Sequence, residues 1–361
     1  MSVSPERIMS ALSGVTDPDT QKKLNITAKN TEIKIENDGA TITVPLGYPL
    51  HNGLTELRKR VETAVSALNV VPVSVDFKAE IVAHAVQRGL KPMSNVRNII
   101  AVASGKGGVG KSTTAVNLAL ALLAQGARVG LLDADIYGPS VPLMLGLSGK
   151  PETLDGKTME PMMGHGLQAN SIGFLIEDDA PAIWRGPMVT QALQQLLTQT
   201  NWKNLDYLIV DMPPGTGDIA LTMAQKVPLT GAVIVTTPQD MALADARKAT
   251  RMFQKVEVPV LGVVENMSVH ICSQCGHAEP IFGEHGGRDM AREFDVPWLG
   301  ALPLQLSIRE QTDAGTPTVA AEPDSETARL YHHIAHGVAA RVAALPRDMS
   351  VKVPLVVTRT D

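Results

Sequence analysis

The sequence predicts an α/β fold in which a mainly parallel β-sheet is covered by helices on both faces, with a small α+β domain in front of it. The main observation is a series of short apolar runs from Asn98 onward, without alternating polar residues. Such runs are typical of strands that are buried on both faces of a sheet. Stretches of helical character separate them, as in parallel sheets whose strands are joined by helical crossovers. The runs are 99–103, 129–132, 208–210, 232–235 and 260–264.

The first 77 residues have a different pattern and are predicted to form the small α+β domain. Two short segments alternate apolar and polar residues around an Asn-Asp-Gly turn, which is typical of a β-hairpin. Apolar residues then recur at helical spacing. The predicted elements are a helix over 5–12, strands over 33–35 and 41–44, a helix over 54–68 and a strand over 71–77.

Residues 78–97 are predicted to be a connector, helical at first and then loose, because Gly89 and Pro92 interrupt it. The main domain is predicted over 98–345, followed by a tail over 346–361. Within the main domain, helices are predicted over 113–125, 240–255 and 325–345.

Charge and composition limit the classes of partner. The formal net charge is −5 and aromatic residues make up 3%, so the chain offers neither a broad basic face nor a stacking platform for a nucleic acid. Apolar runs stay below the roughly 18 residues that indicate a membrane-spanning helix. The first residues lack the basic and apolar regions of a signal peptide. We therefore expect a cytoplasmic protein without nucleic-acid or membrane partners.

A glycine-rich loop follows the first predicted strand of the main domain. It satisfies the P-loop pattern G-x-x-x-x-G-K-[ST] between a strand and a helix, which indicates that backbone N–H groups surround the phosphate oxygens of ATP. Lys111, expected in a surface loop, would neutralise charge on the phosphates, and the Ser112 hydroxyl would ligate Mg²⁺. The loop residues are Gly105, Lys106, Gly107, Gly108, Val109, Gly110, Lys111 and Ser112.

Acidic residues follow two further predicted strands. Asp133 and Asp135 come after the run 129–132, and Asp211 comes after 208–210. Carboxylates at strand ends beside a P-loop are typical of nucleotidases, which use them around Mg²⁺. The loop also contains the dinucleotide pattern G-x-G-x-x-G, for which Asp133 would bind a ribose. That alternative leaves the loop's final lysine and serine unexplained.

Cys272 and Cys275 are the only cysteines, and they form a C-x-x-C pair. In the cytosol such a pair serves redox chemistry, zinc binding or iron–sulfur binding. The thioredoxin-like context of a redox pair is not recognisable. Zinc would need further ligands from His270, His277 or His285. An iron–sulfur cluster needs four thiolates, which a symmetric dimer would supply from two chains. The residues alone leave zinc and cluster open.

Lys106, at the second position of the loop, and several further motifs mark a resemblance to a known family. The loop resembles the deviant Walker A loop of the ATPases that include MinD, ParA and the nitrogenase iron protein, in which this lysine reaches the nucleotide of a dimer partner. Over about residues 98–345 the chain resembles the Mrp/ApbC family of iron–sulfur cluster carrier ATPases. The other motifs are 133–140, 211–218, 265–268 before the cysteine pair, and Trp184-Arg185-Gly186-Pro187, to whose first two residues we assign no role.

The resemblance implies a P-loop NTPase fold and an ATP hydrolase that carries an iron–sulfur cluster. The cluster, of the 4Fe–4S type, would bridge two subunits of a homodimer and pass from donor proteins to apo-proteins, with ATP hydrolysis as the switch. The implied site residues are Lys106 and Lys111 for phosphates, Asp135 for the attacking water, Asp211 for Mg²⁺, Asn266 for adenine, and Cys272 and Cys275 for the cluster.

The first 77 residues resemble the small metal–sulfur cluster biosynthesis domain that is often fused to such carriers. Asp17-Pro18 and the segment 47–50 carry this likeness. Tyr48 stands where many relatives have a cysteine, so no cluster-ligand role for this domain follows.

Two other functions remain as alternatives. A positioning ATPase similar to MinD or ParA would need a membrane-binding tail or a basic DNA-binding face. A regulatory ATPase with a structural zinc site would need histidine ligands beside the cysteine pair.

Overall fold

The computed structural model describes residues 4–36, 39–50, 54–175 and 186–348. Among these residues, no helix combines the length and the apolar character that crossing a membrane requires. The predicted turn at Asn37 and Asp38, the pair Trp184 and Arg185, and the tail beyond Asp348 lie outside the described residues.

The N-terminal segment folds around a small sheet. Its elements are α1 (Pro5–Ser13), β1 (Glu32–Glu36), β2 (Gly39–Leu46), α2 (Thr55–Ser66) and β3 (Val73–Ala79). β1 and β2 pair antiparallel, as the hairpin pattern predicts, whereas β2 and β3 pair parallel with α2 as the crossover. The predicted small α+β domain is therefore confirmed.

The rest of the described chain is organised by one large sheet. Its strand order is β13-β10-β9-β4-β8-β5-β7-β6, and all neighbours pair parallel except β6 with β7. The sequence order reverses at β4, where α/β sheets open a crevice for ligands. The strands are β4 (Val96–Ala103), β5 (Val129–Asp133), β6 (Met162–Gly164), β7 (Leu167–Ser171), β8 (Leu205–Asp211), β9 (Gly231–Thr236), β10 (Val260–Glu265) and β13 (Trp298–Ala301), with β11 (His270–Ile271) and β12 (Ala278–Glu279) forming a separate hairpin.

Helices cover both faces of this sheet. They are α3 (Lys111–Ala124), α4 (Val141–Met144), α5 (Gly186–Gln199), α6 (Asp218–Lys226), α7 (Asp240–Lys255), α8 (Gly286–Glu293), α9 (Leu306–Asp313), α10 (Thr318–Ala321) and α11 (Glu326–Ala343). Along β4, Ile100 and Val102 pack in the layer of α3 and α11, whereas Ile99 and Ala101 pack in the layer of α5 to α8. Both faces of the strand are buried, which explains the uninterrupted apolar run and confirms the predicted fold class.

Three strands of the sheet, β6, β7 and β13, have no counterpart among the predicted apolar runs. β7 contains Asn170 and Ser171, both fully buried, and β13 is short and contains Gly300. The polar side chains are tolerated because they have partners: the Asn170 amide donates to Thr200 Oγ1 at 2.7 Å, and the Ser171 hydroxyl donates to Asp133 Oδ2 at 3.0 Å. Such partners come from distant segments, so apolar periodicity does not reveal these strands.

The predicted helical start of the connector is wrong, because residues 80–95 contain no helix. Side-chain hydrogen bonds hold the connector against the main domain instead. The Gln87 amide donates to Ala224 O at 2.7 Å and accepts from the Leu229 N–H at 2.9 Å. His84 is 1% exposed and donates from Nδ1 to Asn98 Oδ1 at 2.9 Å. These bonds fix the connector to β4 and to the end of α6, and it follows the surface of the main domain without forming a helix of its own.

Candidate nucleotide and cluster site

The glycine-rich loop lies in the crevice where the strand order of the sheet reverses. β4 ends at Ala103, and α3 begins at Lys111. At Gly105 an added Cβ would lie 2.1 Å from the carbonyl carbon of Asp245 in α7, so no other residue fits. Gly110, the residue before α3, has a φ of +76°, which favours glycine. The loop therefore has the tight turn and the helix N-terminus that bind phosphate.

Lys111 and Asp211 form a buried ion pair at the base of the loop. The Lys111 Nζ lies 2.5 Å from Asp211 Oδ1 and 3.2 Å from the Ser112 hydroxyl oxygen. The two paired side chains are 6% and 0% exposed, so the expectation that Lys111 lies in a surface loop is wrong. Asp211 Oδ2 is buried without a hydrogen-bond partner in the described part of the chain. The structure thus brings three predicted site residues together and leaves one carboxylate oxygen free for a ligand.

Asp133 organises the neighbouring loop. Its carboxylate accepts hydrogen bonds from the N–H groups of Asp135, Ser140 and Val141 at 3.1, 3.0 and 3.1 Å, besides the Ser171 hydroxyl. Burial, and then the nearby Asp211 carboxylate, raise the pKa of Asp133 to about 7. With both oxygens engaged and no exposed surface, Asp133 is not placed to bind a ribose, which argues against the dinucleotide alternative.

Asp135, the predicted partner of the attacking water, lies at the start of that loop and is only partly buried. Burial raises its pKa, while the charge of Lys111 acts in the opposite direction. Asp135 is therefore close enough to the ion pair to respond to its charges, and it remains accessible to water. Sequence reasoning missed the distinct role of Asp133, since the sequence does not show which of the two acids turns inward.

Lys106 is partly exposed, and its ammonium has no ion-pair partner among the residues that the structure describes. The Ser104 hydroxyl donates to the Lys106 carbonyl at 2.8 Å and so holds the backbone of this residue.

Asn266 follows β10 and lies against the loop. Its Nδ2 donates to the Val109 carbonyl at 2.9 Å, and the side chain is buried. The residue therefore contacts the loop itself, while the predicted contact with adenine stays untested.

The cysteine pair occupies the tip of the β11–β12 hairpin. The Cys272 N–H donates to the His277 carbonyl at 3.0 Å, and the Gly276 N–H donates to the Cys272 carbonyl at 2.9 Å. Cys272 is partly exposed and Cys275 exposed. Hydrogen bonds from the backbone N–H groups of Gln274 and Cys275, and from the Cys275 thiol, lower the pKa of Cys272. The geometry therefore favours the thiolate, which is the form that binds metals.

No group of three or more His, Cys, Asp or Glu side chains in the described residues is arranged to hold a metal ion. The zinc alternative, with His270, His277 or His285 as further ligands, accordingly finds no support within one chain.

Comparison with known proteins identifies the family. Residues 95–339 match the family model described as "NUBPL iron-transfer P-loop NTPase", and residues 5–76 match the model described as "Iron-sulfur cluster assembly protein". The chain belongs to the NUBPL iron-transfer P-loop NTPase family. This confirms the predicted family, and with it the predicted ATP hydrolase class.

Relatives with curated names share most of the chain. The "Iron-sulfur cluster carrier protein" of Escherichia coli (strain K12) is 61% identical over 251 residues, which are 69% of this chain and 68% of the relative. The "Iron-sulfur cluster carrier protein" of Synechocystis sp. is 44% identical over 351 residues, covering 94% of this chain and 98% of the relative. These names agree with the predicted carrier function.

Among solved structures, a nucleotide-binding protein of Archaeoglobus fulgidus in complex with ADP is similar to this chain. It is 38% identical, with a TM-score of 0.55, and the match covers 61% of this chain and 87% of that one. The likeness supports the P-loop fold of this chain and nucleotide binding in its family.

Proposed function

We propose that the protein is an ATP-dependent carrier that holds an iron–sulfur cluster between two copies of the chain and passes it from donor proteins to apo-proteins. The exposed C-x-x-C hairpin is the observation that carries the proposal. Each chain has only two cysteines, and a cluster of the 4Fe–4S type needs four thiolates. Because each hairpin presents its thiols at the surface, two hairpins related by a two-fold axis can supply all four.

The phosphate loop supports the ATPase half of the proposal. Its N–H groups and the α3 N-terminus would bind the phosphates, and Lys111 would exchange Asp211 for a phosphate oxygen. Lys106 would reach the nucleotide of the partner chain, and Asp135 would hold the attacking water. Asn266 would contact adenine from the adjoining strand end.

The residues around the ion pair fit a magnesium ion. Asp211 Oδ2 is a buried carboxylate oxygen without a partner in the described chain, and the Ser112 hydroxyl lies beside the same lysine. Oxygen atoms of this kind are the ligands that Mg²⁺ prefers. When bound, Mg²⁺ would offset phosphate charge, and Ser112 and Asp211 would hold it.

Hydrolysis would act as a switch through two loops attached to this site. The loop after Asp133 is held by that carboxylate, and the loop after Asp211 is held by the Gly215 N–H, which donates to the Ser104 carbonyl at 3.0 Å. Both loops are anchored to groups beside the phosphate loop, so loss of the γ-phosphate would change both.

The proposed division of the chain is a cluster assembly-like domain over 1–77, a connector over 78–97, the ATPase domain over 98–345 and a tail over 346–361. A cytoplasmic location, and the absence of membrane and nucleic-acid partners, stay predictions. The positioning ATPase is the weaker alternative, since the relatives described above are named as cluster carriers.

Reconstitution without oxygen tests the proposal. Wild-type protein treated with iron and sulfide should gain one cluster per dimer, measured as iron, acid-labile sulfide and light-scattering mass. Cys272→Ala should lose the cluster completely, because each dimer loses two thiolates at once. Ser273→Ala is the matched control within the same hairpin and should load normally. A monomer with a full complement of iron and sulfide contradicts the bridge, and tight zinc binding without sulfide selects the zinc alternative.

A further inference from the structure

Asn266 joins the phosphate loop to the strand that leads to the cysteine pair. The residue is 8% exposed and follows β10 directly. Its backbone N–H donates to the Thr236 carbonyl at 2.7 Å, while its Nδ2 donates to the Val109 carbonyl at 2.9 Å. The first bond fixes Asn266 to the sheet, so the second bond fixes the loop to the sheet as well.

The bond to Val109 determines the direction of one amide in the loop. The Val109 carbonyl and the Gly110 N–H belong to one planar trans peptide, and so they point in opposite directions. By holding the carbonyl on its own side, Asn266 turns the Gly110 N–H toward the opposite side. In a P-loop that is the side where backbone N–H groups meet phosphate oxygens.

The contact is tight at Gly110. An added Cβ on this glycine would lie 2.1 Å from Asn266 Nδ2. Gly110 also has a left-handed backbone, with a φ of +76°. The Asn266 amide therefore occupies the space that any side chain at position 110 would need. Because this amide also bonds the Val109 carbonyl, the loop backbone and the Asn266 side chain are in direct contact.

The chain between Asn266 and Cys272 is held along its length by a neighbouring segment. The Leu302 N–H donates to the Glu265 carbonyl at 2.9 Å, and the Ser268 N–H donates to the Leu302 carbonyl at 3.0 Å. The Leu304 N–H then donates to the Val269 carbonyl at 2.7 Å, and the Ile271 N–H donates to the Leu304 carbonyl at 3.1 Å. These bonds tie the segment from Asn266 to Ile271 to residues 302–304 at several points, so a displacement at Asn266 is passed along this segment to the hairpin that carries the cysteines.

We propose that Asn266 is a positioning residue that orients the phosphate-binding amide of Gly110 and couples occupancy of the phosphate loop to the cysteine pair. The inference rests on the proposed function, because it links the nucleotide site to the cluster site. Coupling of this kind is reciprocal: phosphate on the Gly110 N–H strengthens the Asn266 contact, and a cluster held by Cys272 changes phosphate affinity by the same factor.

The test uses the full chain without a cluster and the uncharged variant Asn266→Leu, which removes the donor at nearly constant size. Inorganic tripolyphosphate is the probe, since it has no adenine. Loss of one hydrogen bond should weaken tripolyphosphate binding about fivefold in calorimetry. Ser268→Ala is the matched control: it removes the hydroxyl that donates to the Leu302 carbonyl at 3.1 Å, and should bind tripolyphosphate as the wild type does. Weaker binding of ATP alone, with tripolyphosphate affinity unchanged, would overturn the orienting role in favour of adenine contact.

Thiol reactivity tests the coupling. Saturating ATP should change the iodoacetamide alkylation rate of the cysteine pair about fivefold in the wild type and in Ser268→Ala, and should leave it unchanged in Asn266→Leu. A wild type that binds ATP with the same alkylation rate overturns the coupling while the proposed function stands. A wild type that does not bind ATP overturns the proposed function itself.

Hydrogen exchange provides a test that needs no variant. In the wild type, saturating ATP should slow exchange at the Ser268 and Ile271 amides, which hold the chain between β10 and the hairpin to the 302–304 segment. Unchanged exchange at both amides contradicts the coupling, even where Asn266→Leu does not fold.

Discussion

At the scale of single residues, the Lys111–Asp211 pair links stability to function. Both side chains are buried, and each compensates the charge of the other. A buried ion of this kind is strongly destabilising when its partner is removed. The same lysine must leave the aspartate to contact a phosphate. The pair therefore stabilises the nucleotide-free loop and keeps the positive charge of Lys111 beside the site where the phosphate would bind.

Lys111→Met should abolish ATP hydrolysis and also lower the free energy of unfolding by about 3 kcal/mol, because Asp211 becomes an unpaired buried charge. The double variant Lys111→Met/Asp211→Asn should recover most of the stability and none of the activity. Urea unfolding and phosphate release measure the two effects. Wild-type stability in the single variant argues that the ion pair does not form in solution.

The residues of the site differ in how far the sequence could reveal them. The loop from Gly105 to Ser112 was predictable because the pattern and its strand–helix context are local. The hydrogen bonds of Asp133 to its own loop were not predictable, because the sequence does not distinguish Asp133 from Asp135: both follow the same predicted strand. The Asn266–Val109 bond joins residues that are distant in the chain, and no periodicity signals such a bond.

At the scale of elements, the connector shows the limit of local patterns. It is fixed by the buried polar side chains of His84 and Gln87, and His84 has the lower exposed fraction of the two. Burial lowers the pKa of His84, and the charges of Arg347 and Lys22 act in the same direction, whereas the bond to Asn98 opposes them. His84 therefore stays neutral in the folded protein at a pH where the unfolded chain takes up a proton.

The pH dependence of stability should report this histidine. Its folded pKa is lower than the ordinary 6.5, so its contribution is intact above that pH and is lost as the pH falls below it. The slope contributed by one such group is at most about 1.4 kcal/mol per pH unit. In urea unfolding between pH 7.5 and 5.5, His84→Gln should lose less stability than the wild type on acidification. Parallel pH profiles would show that His84 titrates normally in the folded state.

Strands were predictable where both faces are apolar, as in β4, β8 and β9. The strand β7 was not predicted because buried Asn170 and Ser171 interrupt its apolar pattern. The helix α7 agrees with the predicted range 240–255, since one face of it is regularly apolar. Local periodicity therefore predicts the elements that are stabilised by burial alone, and misses those that need polar partners from elsewhere.

At the scale of the whole molecule, α11 connects the two folded parts. Tyr48 of the N-terminal domain packs edge-on against His336 of α11, with ring centroids 5.3 Å apart, and the Tyr48 hydroxyl donates to Asp17 at 3.0 Å. The Lys22 ammonium donates to the carbonyl of Ala344 just beyond the helix. α11 packs on α3, the helix of the phosphate loop. Tyr48 thus contributes to docking the N-terminal domain on α11.

Mixing two inactive chains tests the proposed dimer. Lys106→Ala should impair hydrolysis more than ATP binding, because its contact would exist only across the dimer, while the surface control Lys91→Ala should retain activity. Combined in equal amounts with Asp135→Asn, it should recover about a quarter of wild-type hydrolysis, since half of the dimers are mixed and each has one intact site. Absence of recovery in a verified mixed dimer contradicts a lysine that acts across the interface.

Delivery of a cluster tests the central claim most directly. Wild-type protein, reconstituted without oxygen and freed of excess iron and sulfide, is mixed with an apo-enzyme whose activity requires a 4Fe–4S cluster. The activity recovered by that enzyme is then measured with ATP present. We predict recovery with the wild type and with Ser273→Ala, strongly reduced recovery with Lys111→Met, and none with Cys272→Ala. An acceptor that stays inactive with the loaded wild type, or one that recovers equally with Lys111→Met, contradicts an ATP-dependent cluster carrier.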